Sequence, residues 1–350
     1  MNTEKRFFAA ANGYRGFRSY FAEIFNSRDY EKIFVLKGGP GTGKSSFMRS
    51  VATSLEEKGA ECEYIYCSSD PFSLDGIICE KDNKRIAIID GTAPHERDAI
   101  IPGAIDEIIN LGQNWDSRWL FAEREKILTL NEEKKSAYAA AYSYLKIAGN
   151  ADIESKRILR GGYDAKKLKY QAKSLAESLK TVNKGNIKTR LISSFGKMGK
   201  YGFDTLEVST KKKYSVKGHD IFVSDFLNYL QLELCYRDAN IIISPSPLDE
   251  NAIEAIYIPG EDILISSSED GENIIDTESL VCEKDKTAKE KTKVLNDIHS
   301  ICLESSSRWF SIASDIHFRL EDLYKSCMDF EGNNRIINEK LEILCDILEL

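Results

Sequence analysis

Apolar positions along the chain fall into two alternating rhythms, and the alternation predicts the elements. Ile33-Phe34-Val35-Leu36 is a continuous apolar run of strand length, followed after a polar gap by Phe47, Val51, Ala52 and Leu55, which share one face of a helix. Glu63-Tyr64-Ile65-Tyr66-Cys67 and Arg85-Ile86-Ala87-Ile88-Ile89-Asp90 read as two further strands, separated by loops carrying Asp70, Pro71 and Asp75. Apolar strands alternating with helices predict an α/β fold: a mostly parallel sheet with helices on both faces. From about Trp115 to Leu179, Ala, Glu, Lys and Leu dominate, and the spacing predicts a long helical hairpin interrupted near Gly149-Asn150 and Gly161-Gly162.

The same rhythm returns later in the chain. Lys37-Gly38 recurs as Lys217-Gly218, each after a strand-like run. The helix from Lys44 has a counterpart from Ser224, with Phe226, Leu227, Leu230 and Leu234 in helical phase. Residues 64–68 match 241–245, 73–78 match 252–257, and 86–89 match 262–265. The chain therefore reads as a duplicated α/β unit, expected at 1–114 and 183–284. Each is followed by a helical hairpin, at 115–182 and 285–350, the second with Ile312, Ile316, Leu320 and Leu323 at helix spacing and a break at Gly332-Asn333-Asn334.

The polar gap after Leu36 carries the chemistry. Gly38-Gly39-Pro40-Gly41-Thr42-Gly43-Lys44-Ser45 matches G-x-x-x-x-G-K-[ST] between a strand and a helix, the P-loop arrangement. Such a loop turns successive backbone N–H groups onto phosphate oxygens, which requires positive φ and close approach, both permitted by glycine. Gly38, Gly39, Pro40, Gly41, Thr42, Gly43, Lys44, Ser45 and Ser46 are thus the expected phosphate-binding residues. Lys44 is expected to hold the β- and γ-phosphates and the Ser45 hydroxyl to ligate Mg²⁺, so the implied ligand is a nucleoside triphosphate with Mg²⁺.

Asp90, at a strand's C-terminal end, is expected to hold the Mg²⁺ hydration shell, with Asp70 as the alternative. Thr92-Ala93-Pro94-His95-Glu96 follows it, and His95 or Glu96 is expected to face the γ-phosphate or an attacking water. Gly91 stands where many hydrolysing enzymes of this kind have a glutamate, so fast hydrolysis does not follow. In the second unit, Gly41-Thr42-Gly43-Lys44-Ser45 is aligned with Ile221-Phe222-Val223-Ser224-Asp225. The segment after Asp90 is aligned with Ser266-Ser267-Ser268-Glu269. Lysine, glycines, Asp, Pro and His are lost together, so this unit is expected to keep its core without binding nucleotide.

Composition narrows the setting. With 350 residues, 42% hydrophobic, the chain can bury a sizeable core, and its net charge of −8 argues against a general nucleic-acid binder. A locally basic stretch, Lys184, Lys188, Arg190, Lys197, Lys200, Lys211, Lys212 and Lys213 with Phe195, Tyr201 and Phe203 interleaved, reads as a solvated linker, with an anion site as the alternative. No apolar stretch is long enough to span a bilayer, so a cytoplasmic location is expected. The eight cysteines, without a C-x-x-C pair, read as reduced thiols rather than a zinc site or disulfide frame. Asn12-Gly13-Tyr14-Arg15-Gly16-Phe17 reads as a glycine turn whose Arg15 is solvated or reaches the nucleotide or the other half.

The glycine loop, Tyr66-Cys67-Ser68-Ser69-Asp70 with Ser73-Leu74-Asp75-Gly76, and Asp90-Gly91-Thr92-Ala93-Pro94-His95 together resemble a bacterial family of largely uncharacterised tandem P-loop ATPases, within the P-loop nucleoside triphosphate hydrolase superfamily. The likeness extends to Asn12 to Phe17, Pro102-Gly103-Ala104 and Cys327-Met328-Asp329-Phe330. In that family both halves can carry a glycine loop and a D-[GS]-T-A-P-H-type segment; here the second half departs from both. The resemblance implies ATP binding and an ATPase or nucleotide-kinase-like activity. The expectation is a slow ATPase with one nucleotide site per chain, coupling closure of the 92–96 loop to movement of the helical hairpins, which are also the surface available to a protein partner. Two alternatives stand beside it: a kinase, for which Arg118, Arg124, Arg157 and Arg160 are the clustered lid arginines, and a regulatory module without turnover.

Overall fold

Two six-stranded sheets with the same strand order carry the two halves of the chain. The computed structural model describes residues 5–179, 185–206, 210–267 and 271–350. The first half contains β1 (Lys5–Phe8), β2 (Ala10–Gly13), β3 (Gly16–Ser19), α1 (Phe21–Ile24), β4 (Lys32–Lys37), α2 (Lys44–Glu57), β5 (Glu61–Tyr66), β6 (Leu74–Lys81), β7 (Lys84–Asp90) and β8 (Asp106–Asn110). Then come α3 (Ser117–Ala122), α4 (Arg124–Gly162), β9 (Tyr163–Asp164) and α5 (Lys166–Ser178). The second half contains β10 (Ile187–Thr189), β11 (Ser193–Gly196), β12 (Gly199–Gly202), β13 (Lys212–Lys217), α6 (Asp220–Cys235), β14 (Ile241–Pro245), β15 (Ile253–Ile258), β16 (Ile263–Ser266) and β17 (Asn273–Asp276). The chain ends with α7 (Thr277–Leu280), β18 (Cys282–Glu283), α8 (Ala288–Lys325) and α9 (Phe330–Leu348).

The sheets run β1-β5-β6-β7-β4-β8 and β10-β14-β15-β16-β13-β17, so each strand of one has a counterpart in the other. Even the register shift between Ile65 and Tyr66 is repeated between Ser244 and Pro245. Each sheet is mixed: β6 and β15 run antiparallel to their neighbours, and the remaining pairings are parallel. Strand β6 returns directly into β7 through Asp82 and Asn83, both at positive φ (50° and 66°), the conformation of a two-residue hairpin turn.

One apolar cluster joins the halves. Ile33, Val35, Ile65 and Ile89 of the first sheet share it with Ala255 and Leu264 of the second. The other face of the first sheet is covered by α2 and by α9, whose Ile337, Leu344 and Leu348 pack with Phe34, Leu36 and Ile88. The other face of the second is covered by α5 and α6. Phe8 and Leu191, the same position in the two copies, exchange backbone hydrogen bonds (Phe8 N to Leu191 O 2.8 Å, Leu191 N to Phe8 O 3.4 Å), as residues on a pseudo-two-fold axis do. Beyond that bridge each copy sends its hairpin to the other. Tyr14, between β2 and β3, donates its N–H to Leu248 O (2.9 Å), and Arg15 pairs with Glu250. Ser194 on β11 donates to Ser68 O (2.9 Å). Arg15 thus reaches the other half.

The helical segments do not form two separate hairpins. Helix α4 continues through Gly149-Asn150 and ends at Gly162, and its long partner is α8. Leu130 and Ala137 pack with Ala313, Leu320 and Leu323, while Ser155 donates to Asn296 (2.9 Å) and Ser306 to Ala141 O (2.9 Å), so the two helices run antiparallel. The C-terminal break falls between Lys325 and Phe330, capped by Asp329, rather than at Gly332-Asn333-Asn334. The basic stretch is folded as well: Arg190 is buried against Glu63 (2.9 Å), Lys197 pairs with Asp70 and Lys200 with Glu254, and Phe195 is buried. Lys184, Ser268, Glu269 and the expected boundary at 182–183 lie outside the described residues. Cys62 and Cys79, expected as reduced thiols, oppose each other on β5 and β6 and are disulfide-bonded; antiparallel pairing brings their Cα atoms to 4.2 Å, which a separation of 17 residues does not reveal. Among the described residues no helix is long and apolar enough to cross a membrane.

Gly149 is retained for packing, since a Cβ there would stand 2.4 Å from Tyr14 Cβ. Gly161→Ala, with nothing within 4 Å, should stabilise the protein by about 0.5–1 kcal/mol through helix propensity, whereas Gly149→Ala should destabilise it despite the same propensity gain. Urea unfolding of both variants reads the opposite signs.

Candidate functional site

Strand β4 is buried along Ile33, Phe34, Val35 and Leu36, and the chain leaves it into the glycine loop at the sheet's C-terminal edge. Gly41 and Gly43 sit at φ 71° and 86°, in the left-handed region that side chains disfavour, and Gly43 is the N-cap of α2. Lys44 curls back over the loop: its Nζ donates to Gly38 O (3.0 Å) and Gly39 O (2.8 Å) and lies 3.6 Å from Asp90 Oδ2. Thr42 Oγ1 closes the turn by donating to Gly39 O (2.8 Å). Ser45 Oγ accepts from Leu74 N (2.9 Å), tying α2 to β6, and Ser46 is exposed on the first turn.

Asp90 ends β7, where Oδ1 accepts from Thr92 N (2.8 Å) and Thr92 Oγ1 (2.5 Å). Burial raises its pKa, Lys44 opposes that, and Asp75 adds to it. Asp75 is buried on β6, and its Oδ2 lies 2.9 Å from His95 Nε2. His95 is itself buried and stacks on Phe21 with ring centroids 4.3 Å apart. Burial disfavours the imidazolium, but the Asp75 carboxylate, helped by Asp90, outweighs it and raises the His95 pKa above its ordinary value.

Lys44, Ser45 and Asp90 therefore meet at one edge, with Asp75 and His95 behind them. Glu96 is exposed, and Asp70 is held by Lys197 (3.2 Å). Arg118 stands on α3 and Arg124 at the start of α4, whereas Arg157 and Arg160 lie near the end of α4, paired with Glu154 and Asp225. Thirty-six residues of helix separate Arg124 from Arg160, roughly 54 Å, so the four arginines form no single lid.

Two features were not read from sequence. Asp75 is a lone carboxylate in the apolar run Leu74-Asp75-Gly76-Ile77-Ile78; burying it is costly without a partner, and that cost was the available signal. The second is the cover over the loop. Asn333, buried on α9, donates Nδ2 to Thr42 O (2.8 Å) and accepts from Asn114 (2.9 Å). The Tyr324 ring and the Glu321 backbone of α8 lie so close to Gly39 and Gly41 that a Cβ would come within 2.7 and 2.5 Å of them. These partners come from the far end of the chain, which no local pattern announces.

In the second half the loop is deleted rather than substituted. Helix α6 starts at Asp220, two residues after Gly218, whereas α2 starts six residues after Gly38, and His219 caps α6. The alignment of the glycine loop with 221–225 is thereby corrected: those residues are helical, with Ile221, Phe222 and Val223 buried. Strand register puts Ser267 in the place of Asp90 and Glu254 in that of Asp75. Glu254 is buried too, accepting from Ser193 (2.6 Å) and pairing with Lys200 (2.8 Å).

A family model described as Nephrocystin 3, N-terminal, matches residues 18–75, a stretch from β3 into β6 that includes the glycine loop. No curated protein matches the chain, and no solved structure does.

The raised pKa of His95 makes its pairing pH-dependent. A folded-state pKa above the unfolded value contributes stability that is complete below the unfolded value and is lost as pH rises through the folded one. His95→Gln should therefore cost about 2 kcal/mol at pH 6 and clearly less at pH 9, read from urea unfolding of both proteins at each pH.

Proposed function

We propose that this chain binds ATP with Mg²⁺ at the first-half glycine loop and hydrolyses it slowly, with one nucleotide site per chain. The observation that carries the reading is the loop itself: left-handed glycines lead into the N-terminus of α2, and Lys44 lies across the loop with backbone carbonyls of Gly38 and Gly39 and the Asp90 carboxylate as its partners among the described residues. A triphosphate would replace those carbonyls as the partner of Lys44, and the N–H groups of α2's first turn would add the helix-terminal field.

The residues suit Mg²⁺. That ion keeps several waters and takes phosphate oxygens with one or two protein oxygens, and the Ser45 hydroxyl and Asp90 carboxylate are the oxygen donors flanking Lys44. Bound there, Mg²⁺ would neutralise charge on the terminal phosphates. Asp90 is thus a candidate for its hydration shell, and Asp70, engaged by Lys197, is the weaker one. Slow turnover is supported by two facts: Gly91 offers no carboxylate beside Asp90, and His95 is turned inward onto Asp75. The divided arginines give the kinase reading no assembled lid. The loop's contacts with Glu321, Tyr324 and Asn333 provide a direct route from nucleotide to the long helices, in addition to the 92–96 loop.

Titration with a fluorescent ATP analogue and Mg²⁺ should give one site per chain, and Lys44→Ala should weaken it by about 10- to 100-fold. Asp90→Asn should lower phosphate release more than binding. Two nucleotides per chain would overturn the single-site reading, and absence of binding by any triphosphate would overturn the whole.

A further inference from the structure

The second half lacks the glycine loop at the sheet edge where the first half carries it. A cavity of about 760 Å³ opens at that edge of the second sheet, within the size range of small-molecule sites. Its floor includes Val223 of α6, Ser246, Ile253 and Ser267; its roof is the α4–α8 pair, and Tyr14 enters from the first half.

Charge on the walls decides what fits. Carboxylates of Asp152, Asp220, Asp249, Glu254 and Glu304 line the cavity against Lys156, Lys197 and Lys200, with Glu304 already paired to Arg308 (2.5 Å). Every lysine is already engaged. Lys156 bridges Asp152 and Asp249 at 2.7 Å each, Lys200 holds Glu254 at 2.8 Å, and Lys197 turns away to Asp70. Asp220 makes no ion pair among the described residues, and it stands on the first turn of α6, where it would repel a phosphate. The Tyr14 phenol registers the resulting field: after burial, the carboxylates of Asp152, Asp249 and Asp220 are what raise its pKa. Between these charges lie aromatic and aliphatic surfaces of Tyr14, Phe195, Leu248 and Leu303. A negative field over aromatic faces favours a cation by Coulomb attraction and by cation–π contact.

We propose that this second-half cavity binds a small organic cation with an apolar body, a ligand unlike the triphosphate of the first half. The assignment holds whether or not the first half binds nucleotide.

Three indole compounds of one body and different charge test it by titration calorimetry on the full chain: tryptamine, tryptophol and indole-3-acetate. Tryptamine should bind at least about tenfold more tightly than tryptophol, the effect of one charge-assisted contact, and indole-3-acetate more weakly than either. Asp220→Asn, at an exposed position, should narrow the gap between tryptamine and tryptophol. Leu303→Trp should fill the cavity and abolish binding of both, with the unfolding midpoint checking that the variant folds. Equal affinities for the three, a preference for the acetate, an unchanged gap in Asp220→Asn, or no heat with tryptamine would each overturn the proposal.

Discussion

The inner sheet faces of the two halves are buried in one apolar cluster, to which Phe21, Ile24 and Phe25 of the first half also contribute, and that shared burial constrains everything else. Ile33, Val35 and Ile89 on one side and Ala255 and Leu264 on the other lie in one cluster, so neither sheet can lose its inner face without exposing its partner's. The mutual bridge of Phe8 and Leu191 fixes the axis, and the crossed hairpins hold the halves in one register. Asn12 illustrates how tightly: fully buried, it donates to Phe195 O at 2.8 Å and accepts from Tyr142 at 2.7 Å, satisfying groups from the other half and from α4. This explains how the second unit can lose its loop and keep its sheet. The loop lies at the sheet's edge, whereas the sheet is half of a common core.

The long helices add a second constraint. Because α4 pairs with α8 over most of their length, roughly 57 Å of antiparallel helix spans both sheet edges. The end of α8 lies on the glycine loop through Glu321 and Tyr324, while His299 and Leu303 of the same helix line the second-half cavity. A rigid element touching both edges shares any displacement between them. Seventeen residues of helix from Glu304 to Glu321 correspond to about 25 Å.

How much of this the sequence discloses depends on whether the signal is local. The glycine loop, its strand and its helix were legible because spacing alone dictates them, and the duplication was legible through Lys217-Gly218 and the repeated apolar runs. Strand register nevertheless matches Ile65 to Ser244 and Ile89 to Ser266, which displaces the matches of 64–68 with 241–245 and of 86–89 with 262–265 by two residues and one. Strand β6 was missed as a partner of β7 because its turn, Asp82-Asn83, lacks the glycine that usually marks such hairpins. The break expected at Gly149 was misread, since a glycine in a helix can mark close approach of a neighbour as well as a break, and here the neighbour is Tyr14. The loop deletion was hidden because Ile221, Phe222 and Val223 look like substitutions until the helix start is known. The α4–α8 pairing joins residues more than 120 positions apart, so the apolar stripe on each helix shows that a partner exists without naming it.

Asp75 and Glu254 connect these threads. Register places them at the same point of the same strand, and both are buried, so a carboxylate behind the strand edge belongs to the duplicated unit rather than to one half's chemistry. What differs is the partner. Asp75 takes His95 from its own half, beside Asp90, whereas Glu254 takes Ser193 and Lys200 from the second half's hairpin. A buried carboxylate without a partner costs several kcal/mol, so when the Asp90–His95 segment was absent the hairpin's lysine had to supply the missing charge. The same lysine is thereby spent, as are its two neighbours on the cavity wall. The acidic character of the second edge thus follows from one requirement of folding: each buried carboxylate must first be neutralised from within, and what remains unpaired faces the open space.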